Sequence, residues 1–398
     1  MAVTEGSEPD RAPSPSCGGG SPVVTPHGSR RRRLALAGYG AVGRALTALL
    51  ARSSAEVARR YGVAFEVTAV ATRRAGLAVD ADGMDRERLA VASRAALPSL
   101  TLVPEAGLDS VPPQAEQSAP AWSGRWQDLV AFLADPAAPY DVLVEITTQS
   151  PADGEPAATY VRAALRSAHD VVTANKGPIA WHGPELDRLA ASTGARLRYE
   201  AALMDCLPTH AIREFLVPVG RVLSFAGIVN ATTNVVLSAM ADGRGAAEAL
   251  AGAQRAGLAE ADARNDLEGH DAVLKATILA NLLLDPREPV RPDRVERHGL
   301  EAVPNAWPVD AASRGARVRL VARGESEGED SRRTVHVRVG PEELPLEDSL
   351  ATVGGTSMAL RVASEFGGRL QLTLLDAPVE QTAYAILMDL VALGRDAG

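Results

Sequence analysis

Cysteine is scarce in this chain. There are two, Cys17 and Cys206, and the first sits in a Ser/Pro/Gly-rich leader. That scarcity excludes a cross-linked secreted scaffold and a cysteine-based zinc site, and no disulfide is expected between the pair. Apolar runs of membrane length are lacking as well, since a spanning helix needs about 20 such residues. The basic stretch at 30–33 is followed by no signal-peptide core. Nor is there an excess of positive charge. The net charge of −9 argues against a nucleic-acid or anionic-membrane surface, yet leaves room for a small anionic substrate held by a local cluster of donors. The expectation is a soluble, cytoplasmic protein that binds no membrane and no nucleic acid.

What is present is ordinary globular material, 46% hydrophobic and 23% charged over 398 residues. That length exceeds one comfortable core and implies two domains. The pattern divides into a disordered leader over 1–32, a nucleotide-binding domain over 33–178, a substrate-binding and dimerisation domain over 179–345, and a segment over 346–398 that packs back on the first domain. The first domain reads as a strand at 34–37, a glycine turn, a helix to about 61 and a strand at 65–71. A further strand (141–147), helix (156–167) and strand (170–173) complete a parallel sheet with right-handed crossovers. Residues 104–127 are expected as a long surface loop. Strands are expected at 197–203 and 222–230, helices at 246–256 and 266–284, a hairpin tip at 323–333 and an apolar helix at 382–393. The fold class is α/β with a second, α+β domain.

Gly38-Tyr39-Gly40-Ala41-Val42-Gly43 follows a strand and opens a helix. The first glycine permits the tight turn, the second lets backbone approach a pyrophosphate, and the third closes helix on strand. The helix N-terminus adds positive dipole, so Gly38, Gly40, Ala41, Val42 and Gly43 are candidate cofactor contacts of a Rossmann-type domain. Where an NAD site places an acid after the second strand, this chain reads Val70-Ala71-Thr72-Arg73-Arg74. Arg73 is suited to a 2′-phosphate, which favours NADP while leaving NAD possible.

Two further runs carry chemistry. Val171-Val172-Thr173-Ala174-Asn175-Lys176-Gly177-Pro178 puts a lysine just past a buried strand, at the edge where such sheets bind ligands. In the run from Gly257 to Lys275, one helix starting at Asp266 would set Asp271 and Lys275 on a face with Leu267, Leu274, Ile278 and Leu282. Charges on a buried stripe need partners or a ligand. An exposed Asp–Lys pair at i,i+4 is the silent alternative, worth roughly 0.3–0.5 kcal/mol.

These runs resemble the homoserine dehydrogenase family, with matches at Gly257, Glu260, Asp262, Asp266, Gly269, Asp271 and Lys275 and in the segment ending Lys176-Gly177-Pro178. The resemblance spans residues 33–395. It implies a dehydrogenase that interconverts L-aspartate 4-semialdehyde and L-homoserine, with Lys275 as proton donor and Lys176 beside it. Glu260, Asp266, Asp271 and Thr232 would contact the amino-acid substrate, and Lys176 and Gly257 the cofactor; Thr147 and Thr148 are further candidate cofactor contacts beside Arg73. It further implies a homodimer and a monovalent cation, Na⁺ or K⁺, on Glu200 and the carbonyls of Leu203, Asp205 and Leu207. A buried glutamate satisfied by backbone amides is the competing reading of Glu200. The chain departs from the family pattern at Ala231, at Ala263 (usually proline) and at Cys206 (usually glycine). Cys206 opens two alternatives: a paralogue acting on a related hydroxy-amino acid or semialdehyde, and a silent NADP-binding sensor. No C-terminal ACT regulatory domain is expected.

Overall fold

The computed structural model describes residues 29–91, 121–216, 218–328, 333–375 and 380–395. The leader up to residue 28 and most of the loop expected over 104–127 lie outside them. Two sheets organise the rest. The first contains β1 (Arg30–Ala37), β2 (Val63–Thr72), β3 (Gly76–Val79), β4 (Ala121–Gly124), β5 (Val142–Glu145), β6 (Asp170–Thr173) and β7 (Leu197–Arg198), in the order β4-β3-β2-β1-β5-β6-β7. β1, β2, β5, β6 and β7 run parallel, while β3 and β4 are antiparallel additions. Every residue of β5 and β6 is buried, as expected for parallel strands covered on both faces. The cover comes from α1 (Ala41–Tyr61), α2 (Arg86–Val91), α3 (Leu129–Ala134), α4 (Ala157–Arg166) and α5 (Lys176–Thr193). Because β2 and β5 flank β1 on opposite sides, the crossover direction reverses there and leaves a crevice beyond the strand ends.

The short helices α6 (Glu200–Leu203) and α7 (Thr209–Leu216) lead into the second unit. It is built from β8 (Val222–Ile228), α8 (Ala231–Ala241), α9 (Ala246–Arg255), α10 (Arg264–Leu267), α11 (His270–Leu283), β9 (Glu296–Arg297), α12 (Ala306–Ser313), β10 (Ala316–Glu327), β11 (Thr334–Pro345), β12 (Met358–Ser364) and β13 (Gly368–Leu374). Its sheet order is β13-β12-β8-β10-β11-β9. α11 lies over β10 and β11 and also packs against α5. It is therefore the beam that joins the two units, which explains why nearly all of it is buried.

Five expectations change. The strand expected over 197–203 ends at Arg198, and the chain winds directly into α6. The single helix from Asp266 is broken at Gly269, whose φ of 80° closes α10 and opens α11. A side chain is strained in that left-handed region, and glycine is not. β10 continues through Glu327, so the hairpin tip is shorter than 323–333, and 329–332 lie outside the described residues. Ala121–Gly124 pair with β3 as β4 instead of forming loop. The region from 346 divides: β12 pairs with β8 and β13 with β12, which extends the second sheet, and α13 (Gln381–Arg395) returns to the first unit. There Ala385, Ile386, Leu390 and Leu393 share a core with Leu34, Leu36, Leu46 and Leu50. Each such leucine contributes about 1.5–3 kcal/mol of burial. No helix among the described residues is long and apolar enough to cross a membrane.

Candidate active site

The glycine turn lies at the C-terminal end of β1, where Gly38 has φ 95° and donates to the Ala71 carbonyl at 2.9 Å. A Cβ there would sit 2.5 Å from the Ile146 oxygen at the end of β5, so only glycine lets the two strand ends approach. Gly40 caps α1, and the 21-residue helix directs its free amides at the crevice. The cradle fits a dinucleotide diphosphate. At the end of β5, Glu145 is fully buried and shapes the rim: it accepts from Thr147 N at 2.9 Å, Thr147 Oγ1 at 2.5 Å and Thr173 Oγ1 at 2.8 Å. Burial pushes its carboxyl above the ordinary value despite those donors.

Lys176 opens α5, with Asn175 as the N-cap accepting from Gly177 N at 3.2 Å. Its Nζ lies 3.3 Å from Asp271 Oδ1, while Lys275 Nζ lies 3.3 Å from Asp271 Oδ2. One carboxylate thus bridges two ammonium groups brought from separate units. Lys275, 8% exposed, also donates to the Val229 carbonyl at 2.7 Å. Asn230, the N-cap of α8, turns its amide to Asp266 Oδ1 at 2.8 Å and Asp271 Oδ2 at 3.0 Å. Burial alone would raise the Asp271 carboxyl, but Lys275, Lys176 and Asn230 hold it well below the carboxylate range. Burial would lower Lys176, and Asp271 overrides that and raises it. Lys176 and Lys275 are the only lysines in the chain. Every other long cation is arginine.

A cleft of about 400 Å³ joins both units, lined among others by Val42, Thr147, Lys176, Asp205, Glu260 and Lys275. Leu203 and Thr382 also line it. Asp266, Asp271 and Thr232 are not part of the lining: Asp271 meets the cleft through Lys176 and Lys275, Asn230 ties Asp266 to Asp271, and Thr232, 8% exposed, reaches the Leu258 carbonyl at 3.4 Å. Arg73, Thr148 and Gly257 are exposed and not part of this lining. Asp262 faces solvent with Arg264 as its partner at 2.6 Å.

Sequence reasoning passed over Asn230, the Asp205 side chain and Thr382. Asn230 stands in the motif Gly227-Ile228-Val229-Asn230, where a capping asparagine was legible. The Asp205–Thr382 contact, 2.9 Å across 177 residues, had no local signal. The left-handed residue in this loop is Asp205, φ 52°, and not Cys206. Cys206 Sγ faces the Gln381 carbonyl at 3.5 Å and is not part of the cleft lining.

Glu200 meets four donors. Its carboxylate takes Thr209 N and Thr209 Oγ1 on one oxygen, and His210 N at 3.2 Å and His210 Nδ1 at 2.9 Å on the other.

A glycine cradle at a sheet crevice, opening onto a cleft with paired lysines and acids, defines an oxidoreductase of the nicotinamide-dinucleotide class. Residues 38–200 match the family model described as the NAD binding domain of homoserine dehydrogenase, and residues 209–391 match the model of homoserine dehydrogenase itself. The chain belongs to the homoserine dehydrogenase family. It is 33% identical over 368 residues to an NAD(+)-dependent homoserine dehydrogenase of Pseudomonas canavaninivorans, covering 92% of this chain and 97% of that protein. It is 39% identical to the homoserine dehydrogenase of Mycobacterium leprae over 239 residues, which is 59% of this chain and 54% of that one. Among solved structures, a homoserine dehydrogenase from Thiobacillus denitrificans superposes with a TM-score of 0.73 at 28% identity, over 92% of this chain and 74% of that one. A hyperthermophilic archaeal homoserine dehydrogenase in complex with NADPH gives 0.68 at 25% identity, over 91% and 97%.

Proposed function

We propose that this enzyme interconverts L-aspartate 4-semialdehyde and L-homoserine with NADP as its preferred dinucleotide. The observation that carries the reading is the Lys176–Asp271–Lys275 bridge at the mouth of the nucleotide crevice. An ammonium has three donors. Lys275 commits two, to Asp271 and Val229, and keeps one for a substrate oxygen. Gly38, Gly40, Ala41, Val42 and Gly43 hold the diphosphate, and Thr147, Thr148, Gly257 and Lys176 complete the cofactor contacts. The bound reduced nicotinamide supplies the hydride. Lys275 gives its proton to the aldehyde oxygen as the alcohol forms, and Lys176 stabilises the developing negative charge. Asp271 keeps both lysines charged and aimed. Glu260 and Asp266 take the substrate ammonium, and Thr232 its carboxylate. In the reverse direction Lys275 takes the proton from the alcohol oxygen.

Arg73, exposed at the end of β2 with no acid beside it at the expected point, supports the 2′-phosphate preference. The Pseudomonas relative is named as NAD(+)-dependent, so the comparison of NADPH with NADH is decisive for this part. A homodimer through the second unit is supported by exposed Leu223, Phe366, Leu370 and Leu375 around β8, β12 and β13. The test of function is NADPH oxidation by the purified protein with aspartate semialdehyde, with the product identified as homoserine. Binding of NADPH without turnover would sink the reading.

A further inference from the structure

We propose that Thr209 and His210, at the start of α7, replace a monovalent cation on Glu200, so that this enzyme folds and turns over without one. The family resemblance put an ion between the Glu200 carboxylate and the carbonyls of Leu203, Asp205 and Leu207. A carboxylate offers about four lone-pair sites, and two adjacent residues fill all four here. The Thr209 amide is the telling group. It donates both to Glu200 Oε1 and to the Leu207 carbonyl, the latter at 2.8 Å. A proton therefore stands between two oxygens that would have to share the ion.

The other oxygen faces the His210 ring, and an imidazole nitrogen set against a carboxylate must carry the proton. His210 is 8% exposed and meets the Tyr199 ring edge-on at 4.4 Å, so it has no open space into which to swing. The Glu200 amide donates to Asp389 Oδ2 at 2.8 Å, and Arg198 Nε reaches Asp389 Oδ1 at 3.4 Å. Glu200, His210 and Asp389 lie close enough to resemble a metal cage; the Glu200 oxygens there are met by donors, while His210 Nε2 is buried without a partner. The result is a loop clasped by covalently attached donors. Such a clasp, unlike a bound ion, does not depend on salt concentration.

The experiment uses the full chain, exchanged into choline buffers free of alkali metal. Thermal midpoint and NADPH oxidation are then followed on adding sodium, potassium or choline chloride at equal ionic strength. Superimposable curves, with rates within about twofold, are expected for a native state that binds no such ion. A rise in midpoint or rate with Na⁺ or K⁺ that choline does not reproduce overturns the proposal. The midpoint needs no substrate, so it stands even if the homoserine reading fails. His210→Leu removes the ring donor; it should lower the midpoint and create a new Na⁺ or K⁺ response. A folded His210→Leu protein indifferent to alkali metal would count against replacement. If it does not fold, the wild-type curves decide.

Discussion

Two carboxylates at the junction of the units, Asp271 partly buried and Glu200 buried, have opposite fates. Asp271 is flanked by two ammonium groups whose donors it cannot exhaust. Glu200 is flanked by four donors that exhaust it. Around Asp271 there is surplus donor capacity directed into a cleft, which is what acid catalysis on a substrate oxygen requires. Around Glu200 four donors from two adjacent residues close on the carboxylate, which is what a structural clasp requires. Burial and charge are common to both. What separates a site from a support is the balance of donors and acceptors.

The contrast can be broken most strongly at Lys275. Lys275→Ala should cut kcat by about 10²–10⁴-fold while NADPH binding, followed by fluorescence titration, stays intact; near-normal turnover would remove Lys275 from its role. Asp271→Asn leaves Lys176 and Lys275 without their anion and should cost about 3–5 kcal/mol in urea unfolding. The acid limb sharpens this. Asp271 titrates below its ordinary 3.8, so its contribution is complete above 3.8 and is lost as pH falls through the lower folded value. The stability gap between wild type and Asp271→Asn should therefore narrow in strong acid, and a gap that widened would reverse the assignment. Lys176, which is raised, behaves in the opposite sense: its contribution is full below 10.5 and fades as pH climbs through its folded value.

At the Glu200 end, Thr209→Val deletes one hydroxyl donor from a buried carboxylate. A loss of about 1–3 kcal/mol is expected in the same unfolding measurement, with little change in KM. Arg73→Ala lies outside both clusters and should have the smallest effect. The ratio of kcat/KM for NADPH over NADH should fall about tenfold, near 1.4 kcal/mol, with stability unchanged. An unchanged ratio would move the 2′-phosphate contact elsewhere.

Much of the first domain was legible because its signals are local. The glycine turn, the apolar strands and the capped start of α5 each lie within a few consecutive residues, and their chemistry names the element. The acidic run was legible as a set of residues but not as a shape. Gly269 in the left-handed conformation breaks it, and Asn230, 36 and 41 residues away, reunites Asp266 with Asp271. The Glu200 amide finds Asp389 across 189 residues. No periodicity carries that information. Cys206 illustrates the converse: a departure conspicuous in sequence contributes nothing to the cleft lining, and its neighbour Asp205 bears the unusual backbone angle.

The sequence by itself determined the nucleotide cradle, the two-unit plan and the identity of the paired lysines, because backbone conformation, burial periodicity and residue type are written locally. The tertiary structure decided which charges meet. Lys176 reaches Asp271 only because α11 packs against α5, and Glu200 is saturated only because the turn after α6 brings Thr209 and His210 back over it. Hydrogen bonds act over about 3 Å, and only packing brings residues distant in sequence within that range.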